Sequence, residues 1–216
     1  MQSYETNNQI WEEIYKRNDN HLSYPDDVLV RITHRLLDPK KHSTILDYGF
    51  GTGSNLVHLI KKGYKLSGVE VSDCAIAKLK ERLHLDGYVA ELQSNASGKI
   101  PFVDNSFDVV IAWQVLYYNN WDTFRDAMSE IERVLRPGGI FLGTMAAVGD
   151  YSHTHSIVVG DSIYRSTVPG QEGATLIILD EQELEECFPG RNLVKGYFGF
   201  QFGERHGKHW VISYEK

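Results

Sequence analysis

The run Ile45-Leu46-Asp47-Tyr48-Gly49-Phe50-Gly51-Thr52-Gly53-Ser54-Asn55 constrains this chain more than any other segment. An apolar, β-branched entry ends in an acid. Three alternating glycines follow, and then a helix-compatible stretch. The pattern predicts a strand, a tight turn and a helix N-terminus. Glycine lets a backbone adopt positive φ and approach a ligand closely. A turn at the carboxyl end of the first strand is where open α/β sheets bind nucleotide-like groups.

The spacing narrows the ligand. A dinucleotide fingerprint needs G-x-G-x-x-G or a final Ala. Read from Gly49, that last position is Ser54; read from Gly51, it is Leu56. No G-x-x-x-x-G-K-[ST] phosphate loop occurs in the chain. Further on, Lys65 to Ser72 reads as a second strand carrying Glu70, about 20 positions after the turn, the separation of ribose-binding acids in doubly wound folds. A carboxylate can accept hydrogen bonds from both hydroxyls of a ribose. The competing reading of Glu70 is a solvent-facing or helix-capping acid, although Ser72 and Asp73 can cap the next helix without it.

Gly87 to Ser94 reads as a third strand, and Phe107 to Ala112 as a fourth. The segment Trp121 to Arg136 places Trp121, Phe124, Met128, Ile131 and Leu135 at helical spacing. Leu135-Arg136-Pro137-Gly138-Gly139 closes that helix and opens a fifth strand. Four ordered features therefore stand in line: the acid with G-x-G-x-G, the acid of the second strand, "PFVDNSFDVV" and "LRPGG". Together they resemble the class I S-adenosylmethionine-dependent methyltransferases. The resemblance implies a Rossmann-like α/β fold with a seven-stranded, mostly parallel sheet, an antiparallel last strand and helices on both faces.

It also implies S-adenosylmethionine as cofactor. The expected cofactor-binding residues are Asp47, Gly49, Gly51 and Gly53 at the turn, Glu70 at the ribose and Val71 at the adenine. Many relatives carry an acid for the adenine amino group shortly before the "PF…SFDVV" run. Gln93-Ser94-Asn95-Ala96 holds none, so Asn95 and the Ala96 backbone N–H are expected in its place. Trp113 and Tyr24 complete that set. Trp113, Tyr117 and Tyr118 read equally as pocket lining or as core, because aromatics bury large areas around one polar atom.

The ends of the chain are expected to build the acceptor side. Residues 1–216 are taken as one methyltransferase domain, with 1–40 a helical lid, 43–145 the cofactor-binding core and 146–216 an acceptor-side loop and final strands. Trp11, Tyr15 and Tyr24 are candidate wall residues of the lid or, for Trp11 above all, aromatics that simply staple the lid to the domain, and His21 lies in its loop. His153-Thr154-His155, in a polar and weakly periodic segment, reads as surface, as an acceptor-side base or as an incomplete metal pair on a strand. The low-ranking candidates for a general base are Tyr117, Tyr118, His153 and His155, and no metal is expected. Phe198, Phe200 and Phe202 alternate on one strand face and read as sheet packing.

Composition bounds the partners. The net charge of −7 argues against a duplex-binding surface, which needs basic stripes. The run after the fourth strand, Trp113-Gln114-Val115-Leu116, lacks both the (D/N)PP(Y/F) and the Pro-Cys patterns of nucleic-acid methyltransferases. A small-molecule acceptor with an O or N nucleophile is expected, with no nucleic-acid partner. No apolar run is long enough to span a bilayer and no signal-peptide pattern opens the chain, so a cytoplasmic setting is the default. Two cysteines make no disulfide framework. The rival readings are a non-catalytic S-adenosylmethionine-binding sensor or partner subunit, and an NAD-dependent oxidoreductase, which the missing third glycine opposes.

Overall fold

The computed structural model describes residues 2–17 and 23–216; His21 lies outside them. Seven helices and ten strands are present among the described residues. The parallel core comprises β1 (Thr44–Tyr48), β2 (Lys65–Glu70), β3 (Glu91–Ser94), β4 (Phe107–Ala112) and β5 (Leu135–Ala147). It is wound in the order β3-β2-β1-β4-β5. Helices α3 (Ser54–Lys61), α4 (Asp73–Asp86) and α5 (Trp121–Val134) make the crossovers.

Beyond β5, the antiparallel strand β10 (Arg205–Glu215) pairs with Ile140 to Ala146, and β9 (Val194–Phe202) pairs antiparallel to β10. These seven strands are the sheet expected from the sequence. The chain turns between β9 and β10 in two residues, Gly203 and Glu204.

Strand burial explains the layering. In β4, Val109, Val110, Ile111 and Ala112 are all fully buried, as expected for a parallel strand covered on both faces. Alternate residues enter opposite layers. Leu46, Val110 and Phe141 pack with Phe124 and Ile131 of α5. Ile45, Val109, Ile111 and Leu142 pack with Leu56 and Leu59 of α3, Leu79 and Leu83 of α4, and Leu29 of α2 (Asp27–Leu36).

The segment expected as a polar connection after β5 is more ordered than its composition suggests. It contains the short helix α6 (Tyr151–Thr154) and a hairpin of β6 (Ser156–Gly160) and β7 (Ile163–Ser166). The hairpin continues into β8 (Thr175–Leu179), which meets the end of β5 at Ala146 and Ala147. Exposure of Ile157, Val158 and Val159 hides the alternation that would have marked β6 as a strand. Helix α7 (Glu181–Glu186) is capped by Asp180, which accepts a hydrogen bond from the Glu183 N–H at 2.9 Å.

Two recurring runs turn out to brace the end of the sheet opposite the glycine turn. Asp108 accepts hydrogen bonds from the Thr44 N–H (2.9 Å) and Thr44 Oγ1 (2.8 Å), and pairs with Arg136 of the "LRPGG" run. Glu130 of α5 accepts from the Ile100 N–H at 2.9 Å and pairs with Arg133 at 2.8 Å. Arg133 in turn donates to the carbonyls of Ile100 and Phe102, which fixes the loop ahead of β4.

Hydrogen bonds from Arg133, then from the Ile100 backbone, outweigh desolvation and hold the Glu130 carboxyl down at about 2 from an ordinary 4.5. With its side chain only 10 % exposed, this group stabilises the fold by on the order of 2–3 kcal/mol at neutral pH. Because the folded value is depressed, that contribution is complete above pH 4.5 and is lost as pH falls toward 2. Urea unfolding should therefore show Glu130→Gln destabilised by about that amount at neutral pH and much less at acid pH. An equal loss at both pH values would assign the effect to packing rather than charge.

Candidate cofactor and acceptor site

The site forms at the carboxyl ends of β1, β2 and β4. All three glycines of the turn have positive φ, between 56° and 73°. At Gly53 a Cβ would lie 2.4 Å from Leu79 Cδ1, so α3 and α4 approach only because no side chain is there. At Gly51 a Cβ would lie 2.7 Å from the Tyr15 hydroxyl, so this glycine admits helix α1 (Gln2–Arg17) over the turn.

Glu70 holds the turn from below. It is buried, and its Oε2 accepts from the Gly51 N–H at 2.9 Å. Its Oε1 accepts from the N–H groups of Val71 (2.8 Å) and Ser72 (3.2 Å). Burial raises the Glu70 pKa, and these three backbone donors oppose the rise. Asp47 is a second buried carboxyl, pushed up to about 7 by burial and, secondarily, by the charge of Glu70. Among the described residues, Asp47 Oδ2 and Trp113 Nε1 are buried and have no hydrogen-bond partner.

Helix α1 closes over these groups. Asn7, itself buried, donates to the carbonyls of Tyr118 (2.8 Å) and Thr175 (3.0 Å) and accepts from the Thr175 N–H (2.9 Å). Glu12 Oε2 accepts from Ser72 Oγ (2.6 Å) and the Cys74 N–H (3.2 Å), at the N-terminus of α4. Trp11 and Tyr15 then stand between two clefts. The first is lined by Glu70, Val71, Asn95, Tyr118, Gly49 and Gln114. The second is lined by Asp47, Gly51, Tyr24, Asn55, Trp113 and Asp26. Tyr15 and Gly49 border both, so the clefts are the two sides of one site bent around the turn.

The residues singled out in the sequence distribute unevenly. Asp47, Gly49, Gly51, Glu70, Val71, Asn95, Trp113 and Tyr24 all reach a cleft wall. Gly53 instead starts α3. Ala96 lines a separate surface cleft beside α5, and its N–H points to Ser94 Oγ at 3.4 Å. Trp113 is both wall and core: it is 6 % exposed and stacks on Phe198 at 5.7 Å. Of the three alternating phenylalanines only Phe198 packs so; Phe200 and Phe202 are exposed.

Tyr118 reaches the first cleft, whereas Tyr117 is buried behind it. Burial pushes Tyr118 up to about 12 and Tyr117 well above its ordinary value, so neither is a ready phenolate at neutral pH. His153 and His155 sit in and after α6, not on a strand, and line neither cleft. His155 stacks on Tyr151 at 3.8 Å. No cluster of residues suited to a metal exists among the described residues.

Sequence reasoning missed Asn7 and Gln114. Gln114 carries positive φ (56°) without being glycine, held by its N–H to Thr144 Oγ1 at 2.7 Å. A non-glycine residue in that region, at the wall of both clefts, is the kind of outlier that gathers at functional sites.

Comparison with known proteins agrees with this geometry. Residues 46–143 match the family model described as a methyltransferase domain. A methyltransferase of Bacillus subtilis is 31% identical over 115 residues, covering 51% of this chain and 46% of that protein. The demethylmenaquinone methyltransferase of Clavibacter sepedonicus is 32% identical over 126 residues, covering 58% and 50%. The chain thus spans about half the length of the curated relatives it matches.

Among solved structures, the 1,6-didemethyltoxoflavin-N1-methyltransferase of Burkholderia thailandensis superposes with a TM-score of 0.73 at 15% identity, covering 98% of this chain and 87% of that one. That structure holds its acceptor and S-adenosylhomocysteine. An S-adenosylmethionine-dependent methyltransferase of Methanosarcina mazei gives 0.68 at 20% identity, covering 86% and 96%. Over residues 46–143 the chain is thus similar to the methyltransferase-domain family, and its fold is like that of the solved S-adenosylmethionine-dependent methyltransferases.

Proposed function

We propose that this protein transfers a methyl group from S-adenosylmethionine to an oxygen or nitrogen of a small molecule. The observation that carries the reading is the pairing of a phosphate-free glycine turn with two buried carboxyls, one of them unpartnered. Glu70 would take a ribose hydroxyl, because a carboxylate offers about four lone-pair sites and three backbone donors leave one of them. Asp47 and Trp113 would meet the polar groups of the amino-acid end, and Val71 and Asn95 would border the adenine.

The sulfonium supplies the reactive methyl; the protein supplies alignment and a dry site. Holding two reactants in a near-attack geometry removes several kcal/mol of barrier, on the order of 7–11 in the best cases. Helix α1, pinned by Asn7 and Glu12, provides the cover. An O or N acceptor agrees with relatives named for malonyl-[acyl-carrier protein] O-methylation and didemethyltoxoflavin N1-methylation. The aromatic walls Trp11, Tyr15, Tyr24 and Trp113 suit a small, flat acceptor better than a phosphate backbone.

Incubation with S-adenosylmethionine bearing a tritiated methyl and a panel of hydroxyl and amine compounds tests the reaction. Label should appear in a small-molecule product. Tight binding without any transfer would favour a sensor or partner subunit.

Two binding predictions follow from the carboxyls. Glu70→Ala should weaken S-adenosylhomocysteine binding by about 1.5–3 kcal/mol, roughly 10- to 150-fold; unchanged affinity in a folded variant removes Glu70 from the site. Asp47 is protonated below about pH 7 in the free protein. A bound ammonium requires the ionised form, so affinity should fall as pH drops below about 7, and Asp47→Asn should flatten that dependence. A pH profile identical in wild type and Asp47→Asn would place the ammonium elsewhere.

A further inference from the structure

Among the described residues the sheet ends in three edge strands, and two of them are protected. β3 is four residues long and carries Glu91. β6 has a ladder to β7 that slips between Val158 and Gly160. Short strands, charges and bulges of this kind keep an edge from pairing with another chain. The third edge, β9, has none of them. Its nine residues run with β10 in unbroken register and include no proline and no acid. Its one charge, Lys195, is drawn to Glu181 and Glu185 of α7. The other side of β9 pairs with no strand among the described residues.

Large apolar side chains stand open on this strand. Tyr197, Phe200 and Phe202 are between 64 and 85 % exposed, and Val194 is exposed beside them. At about 150–250 Å² for a whole aromatic side chain, the three rings leave roughly 330–550 Å² uncovered on each copy. With Val194 and the strand backbone added, two copies together reach the ~1,000 Å² at which an interface becomes specific.

We propose that β9 is the interface of a two-fold homodimer, in which each β9 pairs antiparallel with its copy about an axis at Phe198. Phe198 is the midpoint of the strand, so this axis pairs all nine residues. It sets Phe202 opposite Val194, Phe200 opposite Gly196, Tyr197 opposite Gly199 and Lys195 opposite Gln201. Each exposed ring thus meets a glycine or a smaller apolar side chain, and Lys195 never meets its own copy. Cross-strand pairs of complementary size are the unit of sheet stabilisation, and a ring laid over a glycine is one of them. The same device already joins β9 to β10. Gly207 lies opposite Phe200, and a Cβ there would come within 2.9 Å of the ring. At Gly196 a Cβ would meet nothing within 4 Å in the single copy, so that place is open for a ring from a second one.

Antiparallel pairing keeps the faces in common. The face of one copy that carries Phe198, Phe200 and Phe202 continues into the same face of the other. Phe198 is held on the axis by its stacking on Trp113 and His209. The assembly closes, because a two-fold contact uses the open edge of both copies and leaves only β3 and β6 at its ends.

Sedimentation velocity of the full chain over a range of concentrations tests the interface. Wild type should sediment at twice the chain mass and dissociate on dilution. Phe202→Lys should weaken dimerisation by about 100-fold or more, since each dimer carries the change twice, with an unaltered far-UV circular dichroism spectrum. The register has its own test. A chain with both Val194→Cys and Phe202→Cys should give a dimer-sized band on a non-reducing gel after mild oxidation. Either change alone should not, because like cysteines would stand about 27 Å apart along the paired strands. Wild type, with its own Cys74 and Cys187, is the control. A wild type that stays monomeric throughout, a dimer that survives Phe202→Lys, or a double-cysteine chain that crosslinks no better than the single ones would overturn the proposal.

Discussion

The hydrogen bond from the Gly51 N–H to Glu70 is the contact on which the site depends. It joins the turn after β1 to the end of β2, so the glycine loop cannot shift without moving the acid. The cost is a carboxylate out of water. Three backbone donors offset part of it, as expected for a buried charge that persists. A second carboxyl, Asp47, lies close enough to feel that charge and has an oxygen left without a donor. Glu70, on the first cleft, and Asp47, on the second, thus flank the same glycine turn and disfavour each other's ionisation.

Helix α1 responds to the same constraint. It reaches the turn only because Gly51 has no side chain to meet Tyr15. Its anchors are polar and point inward: Asn7 into the backbone of Thr175 and Tyr118, Glu12 into the start of α4.

Much of this was legible in the sequence because parallel strands are covered on both faces and read as unbroken apolar runs, as in Val109-Val110-Ile111-Ala112. The turn glycines and Glu70 were legible because their spacing has a mechanical reason. The β6–β7 hairpin was not, since Ile157, Val158 and Val159 point to solvent and leave no alternation. Trp113 looked like pocket or core and is both. Gln114 could not be found from the chain alone: its positive φ is held by Thr144 Oγ1 of β5, a partner 30 residues on that only the pairing of β4 with β5 brings alongside. Conversely, His153 and His155 are conspicuous as a pair but fall in and after a short helix away from both clefts.

A glycine turn without a dinucleotide or phosphate-loop pattern, set against two buried carboxyls, should favour an S-adenosyl ligand over a dinucleotide. Parallel calorimetric titrations of the full chain with S-adenosylhomocysteine and with NAD decide between the two ligands. Saturable one-to-one binding of S-adenosylhomocysteine with no measurable heat from NAD is the expected result. Tight binding of NAD with no response to S-adenosylhomocysteine would rule out an S-adenosyl site.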